Sequence, residues 1–221
     1  MIREVDIDEI SDGKRYGLND MVKIECSDCK GCSECCHFVD DTIILDPYDI
    51  FMLEKATGKG FEEMIGNKID LKVVNGLIVP HIKIQEETGA CGFLSSEGRC
   101  TIHNYRPGFC RLFPMGRIYE NGGFSYFLQV NQCPYPYKNK VKLKKWLGIE
   151  NVGAYEKFVL DYHDLYTKVQ KGFTEDTSEA SVKSINMLFL NTFFSKPYDT
   201  EGDFYVQFEA RKKTFEGVLQ V

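Results

Sequence analysis

Between residues 26 and 36 the chain reads Cys26-Ser-Asp-Cys29-Lys-Gly-Cys32-Ser-Glu-Cys35-Cys36, so that thiols recur at every third position and then meet as a vicinal pair. Nothing else in the sequence restricts the fold as much. Two thiolates separated by two residues can bite one metal, because the intervening turn folds them to the same side. Gly31 supplies backbone freedom for such a turn. Four more cysteines follow at 91, 100, 110 and 133, giving nine in 221 residues. A secreted disulfide scaffold is normally shorter, carries an export signal and has an even cysteine count. This chain is longer, its acidic N-terminus lacks a charged-then-apolar leader, and its count is odd. The thiols are therefore expected to stay reduced, in a cytoplasmic setting, and to bind metal.

The vicinal pair sharpens that expectation. A tetrahedral zinc takes four N or S donors at about 2.3 Å from sulfur, and neighbouring residues point in different directions. On a helix at roughly 100° per residue, Cys29, Cys32 and Cys36 would lie within about 60° and Cys35 another 60° around. Cys35 and Cys36 thus suit a polynuclear cluster or two separate sites. Eight thiols are enough for two four-coordinate sites or two 4Fe–4S clusters. Thiol-only ligation favours iron–sulfur, with zinc the alternative.

Several stretches together resemble a known family: Cys29-x2-Cys32-x2-Cys35-Cys36, Leu45-Asp-Pro-Tyr-Asp49-Ile50, Cys91-Gly-Phe-Leu94, and Gly98-Arg-Cys100-Thr-Ile-His-Asn-Tyr-Arg106-Pro107-Gly-Phe-Cys110-Arg111-Leu-Phe-Pro114. They look like the YkgJ-type cysteine-cluster family, whose CxxCxxCC signature is associated with zinc or iron chelation. The resemblance covers about residues 26–134. It implies Cys29, Cys32, Cys35, Cys36, Cys91, Cys100 and Cys110 as metal ligands, with Cys133 matching a later family cysteine. Two departures stand out. The family usually has a Tyr where this chain has His103, and Cys26 is additional, so that Cys26→Ser is expected to be mild. Flagellin lysine-N-methylases resemble the same core, but no methyl-donor motif is recognisable here.

The rest of the chain reads as α+β, with short hairpins and helices in a cysteine-rich half (1–136) and a helical region (137–221) packed on it. Thr42–Leu45 reads as a short strand. Asp46-Pro47 opens a helix that Gly58 stops, Asp being a good N-cap and Pro suiting the first turn. A short helix covers Phe61–Ile65. Asn75-Gly76 and Asn121-Gly122-Gly123 sit between β-formers as hairpin turns, and Pro80 marks an edge or broken strand. Val152, Tyr155, Val159, Tyr162, Tyr166 and Val169 recur at three or four residues, a helix of about five turns. Ser184–Ser195 and Phe204–Val218 are further helices, the first too apolar to stand alone in water.

Other residues receive quieter readings. His37 and His103 adjoin the thiols but are read as hydrogen-bonding imidazoles, since sulfur donors suffice. Arg106 and Arg111 flank Cys110 and are expected to act on the cofactor by moderating a thiolate cluster's charge, to bind an acidic substrate group, or else to close the loop in a structural ion pair. Lys138, Lys140, Lys142, Lys144 and Lys145 read as a solvated helix face. With a net charge of −6 the chain does not look like a general nucleic-acid binder, and no apolar run approaches the roughly 20 residues of a membrane span. No dinucleotide, P-loop, serine-hydrolase or zinc-protease motif is present. The functions in view are an iron–sulfur protein of redox or modifying role, a structural zinc module, and a protein- or peptide-modifying, methylase-like enzyme, with an unidentified protein or peptide as partner.

Overall fold

The computed structural model describes residues 7–26, 32–37, 42–135 and 138–219. The architecture is α+β, built from three two-stranded antiparallel ribbons and a set of helices. After a single helical turn, α1 (Ile7–Ile10), strand β1 (Met21–Glu25) leads towards the cysteine segment.

Helix α2 (Pro47–Thr57) forms where the sequence predicts it. The Asp46 side chain accepts from the Asp49 amide at 2.8 Å, and Asp49 returns the bond to the Asp46 amide at 3.1 Å. Both orphan donors at this end are thereby satisfied, and Gly58 closes the helix in the left-handed region at φ 68°. The short helix α3 (Phe61–Met64) follows.

Strands β2 (Ile69–Val74) and β3 (Leu77–Ile82) form the first expected hairpin. Its two turn residues, Asn75 and Gly76, take φ 49° and 81°, the paired positive values whose twist matches flanking strands. Thr42–Leu45 is not the regular strand the sequence suggests. It contributes a single bridge, Ile44 to His81, with the Leu45 and Ile82 amides each donating one backbone bond between this segment and β3. Pro80 lies on β3 and has no N–H, but its carbonyl accepts from Leu45 at 2.9 Å.

After helix α4 (Gly108–Leu112), strands β4 (Met115–Glu120) and β5 (Gly123–Leu128) make the second expected hairpin. The basic run departs from expectation. Residues Asn139–Lys142 form strand β6, antiparallel to β1, and only Leu143–Leu147 are helical, as α5. Val22, Ile24 and Val141 bury one face of this ribbon while Lys23, Lys140 and Lys142 stay exposed. The alternation has the period of a strand, and the partner is more than a hundred residues away, so local pattern alone could not name it. The pairing crosses the boundary drawn at residue 136.

Helix α6 (Val152–Lys171), helix α7 (Glu179–Leu190) with a wide π-type turn over Asn191–Ser195, and helix α8 (Phe204–Leu219) complete the chain. Helix α7 begins five residues before the apolar stretch, where Ser178 caps it. Phe158, Phe189, Phe193, Phe194, Phe208 and Phe215 pack ring against ring and are at most 2% exposed. Arg211 donates to the carbonyls of Thr192, Lys196 and Pro197, satisfying acceptors that the end of this helix leaves over. Asn186 fastens the helices to the first hairpin, accepting from the Ile78 amide at 2.5 Å and donating to the Gly76 carbonyl at 2.9 Å. Among the described residues no helix is long and apolar enough to cross a membrane.

Candidate metal centre

Four elements distant in sequence bring most of the thiols to one corner. Residues Glu34–Cys36 make one 3-10 turn, with the Cys36 amide bonded to the Ser33 carbonyl at 2.8 Å. The Cys36 carbonyl accepts from the Cys91 amide at 2.8 Å, and a bridge joins His37 to Ala90 beside it. Cys91 bridges Ile84, and Cys100 bridges Leu94 across the turn that Gly98 closes at φ 70°. Cys110 comes from α4.

The placement of α4 depends on α2. Besides capping its own helix, the Asp49 carboxylate accepts from the Gly108 amide at 2.7 Å. Gly108 is fixed by close approach: a Cβ there would run into the Tyr155 hydroxyl. The Asp46-Pro-Tyr-Asp49 and Arg106-Pro-Gly-Phe-Cys110 stretches therefore work as one device that carries Cys110 to the other sulfurs.

Cys35, Cys36, Cys91, Cys100 and Cys110 are near enough for their charges to act on one another. Burial holds the Cys110 thiol well above its ordinary range, and Cys91, Cys35, Asp49 and Cys100 push the same way. Burial likewise raises Cys91 and Cys100. Within the vicinal pair, the hydrogen bond between the two thiols lowers Cys35 to about 7 and raises Cys36. Arg106 is a cation of this corner. Its charge favours the thiolates of Cys35 and Cys100, and its guanidinium donates to the His103 carbonyl at 2.8 Å while lying 3.3 Å from the His103 ring nitrogen Nδ1. Lys68 adds a second cation, its charge favouring the Cys91 thiolate and its ammonium held by the Gly92 carbonyl.

Arg111 sits differently. It is 6% exposed and donates to the carbonyls of Leu147 at 3.1 Å and Asn104 at 2.8 Å, clasping α4 to α5 and to the turn before it. Of the imidazoles, His163 stacks on Tyr119, with ring centroids 3.6 Å apart, and His81 is buried on β3.

Cys133 lies apart from the five. Burial raises its thiol too, and the sulfurs acting on it are Cys26 and Cys32. These three and Cys35 border one hollow whose wall includes Phe113, Pro114, Tyr135 and Trp146. Cys26, which the sequence leaves as a spare, is only 3% exposed. The one sequence signal of its company is the continued C-x2-C spacing. Cys29 lies outside the described residues. Among the described residues no three His, Cys, Asp or Glu side chains close on a common point at ligand spacing.

The CxxCxxCC family model, described as a putative zinc- or iron-chelating domain, matches residues 28–134. This stretch is similar to a CxxCxxCC domain. The YkgJ-type resemblance is consistent with the match, and metal binding is the property the family description supports. The match stops short of Cys26 on one side and of β6 and the long helices on the other. The chain matches no curated protein and no solved structure.

Proposed function

We propose that the chain is an iron–sulfur protein whose main centre, of the 4Fe–4S type, is held by Cys36, Cys91, Cys100 and Cys110, in the service of a redox or protein-modifying reaction. The observation that carries this reading is a group of sulfurs, delivered by separate elements, that crowd one corner. Buried thiols that raise one another's pKa resist ionising alone, and a soft cation is what makes such a crowd favourable. The donor set is therefore the one that iron–sulfur clusters and zinc use.

Bound there, a cluster would supply a one-electron change shared over thiolate-ligated irons. This chain's own residues set the conditions for it. Arg106 offsets the negative charge and so would raise the potential. The 3-10 turn and the Cys36–Cys91 backbone bond hold two sulfurs in register. Asp49 holds the first turn of α4, and with it Cys110. Tyr105 and Phe109, 37% and 43% exposed, stand on either side of Arg106 in sequence and offer apolar contact to a protein or peptide partner.

Protein purified without oxygen should be brown, with broad absorption near about 400 nm that reductant bleaches, and should contain iron and sulfide. A colourless preparation with zinc and no iron or sulfide would overturn the iron–sulfur reading and leave a structural zinc domain.

A further inference from the structure

We infer that the β1–β6 ribbon and the start of α5 form a docking surface for the acidic face of a partner protein, held through Lys23, Lys140, Lys142, Lys144 and Lys145. The inference depends neither on which metal the thiols bind nor on the reaction they serve.

Residues 138–145 hold five lysines and no acidic residue, in a chain whose net charge is −6. The register decides how they stand. Lys23 lies directly opposite Lys140, and Met21 opposite Lys142, and residues so paired share one face of a ribbon. Val22, paired with Val141, turns to the other face and is buried, as is Ile24. Three lysines are thus gathered on the solvent side, beside a half-exposed Met21. Lys144 and Lys145 follow on the exposed side of α5, whose Leu143 and Leu147 are buried.

Like charges set directly opposite each other weaken a strand pair, and nothing on this face relieves them. Among the described residues none of the five lysines makes an ion pair, whereas Arg15, Lys83, Lys157 and Lys212 each meet a carboxylate. The acids next to the ribbon are engaged otherwise. Asp20 accepts from the Gly17 amide at 2.7 Å, and Glu25 accepts from the Asn139 side chain at 3.1 Å. Lysine on an exposed edge strand also discourages unwanted strand pairing. That device does not call for a second lysine directly across the ribbon, nor for two more on the helix that follows.

The chemistry of the surface selects its partner. The cations are all lysines, point charges without the planar fork with which arginine grips phosphate. The ribbon's outer face carries no aromatic ring on which a base could stack. The rest of the chain is acidic enough to outweigh these lysines, so a long polyanion leaving the patch would meet repulsion. A compact row of carboxylates on a folded protein would not. Alternate lysines on one strand stand about 6–7 Å apart, close to the roughly 5–6 Å between carboxylates one turn apart on a helix. The surface also has a defined neighbour. Cys26 follows the end of β1, and Lys138 donates to the Cys133 carbonyl at 2.8 Å where β6 begins. A partner seated on the ribbon is thereby brought beside the thiol corner.

The test uses the full chain, purified without oxygen and carrying its native metal. It is titrated with labelled poly-L-glutamate, with a single-stranded oligonucleotide of matched length, and with phosphatidylserine vesicles. Poly-L-glutamate should bind best of the three, and its affinity should fall about tenfold or more between about 0.02 M and about 0.2 M salt. The Lys23→Gln/Lys140→Gln/Lys142→Gln variant should lose about tenfold at the lower salt, while Lys59→Gln/Lys168→Gln/Lys183→Gln, an equal change of charge elsewhere, should lose less than about twofold. Because the ribbon lysines repel one another, the first variant should unfold at the parent's temperature or above it, which a structural role would reverse. If that variant folds poorly, Lys140→Gln alone decides, with an expected loss of about threefold. No binding of poly-L-glutamate by the parent, equal losses in the two triple variants, or tighter binding of the oligonucleotide or the vesicles would overturn the inference. A colourless preparation that still binds poly-L-glutamate through the ribbon would count only against the iron–sulfur reading.

Discussion

The thiol corner and the aromatic core are held together by opposite means. Around the sulfurs the backbone runs through one-turn helices, isolated bridges and a five-residue α4. Around Phe193 the chain is helical almost throughout, and rings from α6, α7 and α8 meet at centroid distances of 4.7 to 6.4 Å. Burying such side chains contributes about 1.5–3 kcal/mol each. The aromatic core can stand on its own packing. The thiol corner places several partly buried thiols where a core would otherwise be, and a bound ion is the natural replacement for the missing apolar contacts.

That contrast can be broken in order of expected effect. Cys110→Ser removes a ligand from the main centre. It should lose that centre's metal and several kcal/mol of stability, on the scale set by the roughly 10–16 kcal/mol with which structural zinc binds folding peptides. Metal analysis and thermal unfolding would check it, and full metal retention would break the comparison. Phe193→Ala leaves a cavity in the other region and should cost about 3–5 kcal/mol. Its metal content per folded chain should match that of the parent, and a proportional loss of metal would show that the two regions are not independent. Gly108→Ala probes the seam between them, because the new methyl meets the Tyr155 hydroxyl. It should cost about 1–3 kcal/mol by overpacking and also weaken metal retention, since Cys110 moves with α4.

The smallest effect is electrostatic. Asp161 accepts from Lys157 and lies 3.5 Å from Lys212 on the outer side of the helical region. Burial works against its charge, but the two lysines outweigh it and hold its carboxyl below the usual range. Its stabilisation is therefore present above the ordinary carboxylate pKa and is lost as the pH falls through the lowered folded value. Asp161→Asn should cost less than about 1 kcal/mol, flatten the acid limb of the unfolding profile slightly, and leave the metal untouched.

Much of the fold is legible in the sequence, and the reason is local chemistry. Asp46, Pro47 and Gly58 mark both ends of α2 because capping needs only a few neighbouring residues. Asn75-Gly76 fixes its hairpin because both turn residues accept positive φ. The recurrence of Val152, Tyr155, Val159 and Tyr162 is a helical period, and α6 follows it. The nine thiols and their spacing likewise point to metal by themselves, because clustered reduced sulfur has few other uses.

What the sequence could not decide was partnership at a distance. The lysine run over 138–145 has the alternation of a strand, but it becomes one only because β1 is there to pair with it. That pairing is also what carries Cys26 and Cys133 to one place. Asp49 reads as a helix cap and serves a second helix as well, since the fold sets the Gly108 amide against its carboxylate. Arg111 reads equally as a cluster cation or as a residue that closes the loop, and in the fold its guanidinium donates to the backbone carbonyls of Leu147 and Asn104. The kind of donor is written in the amino acids, whereas the grouping of donors depends on which elements meet, and only the folded chain determines that.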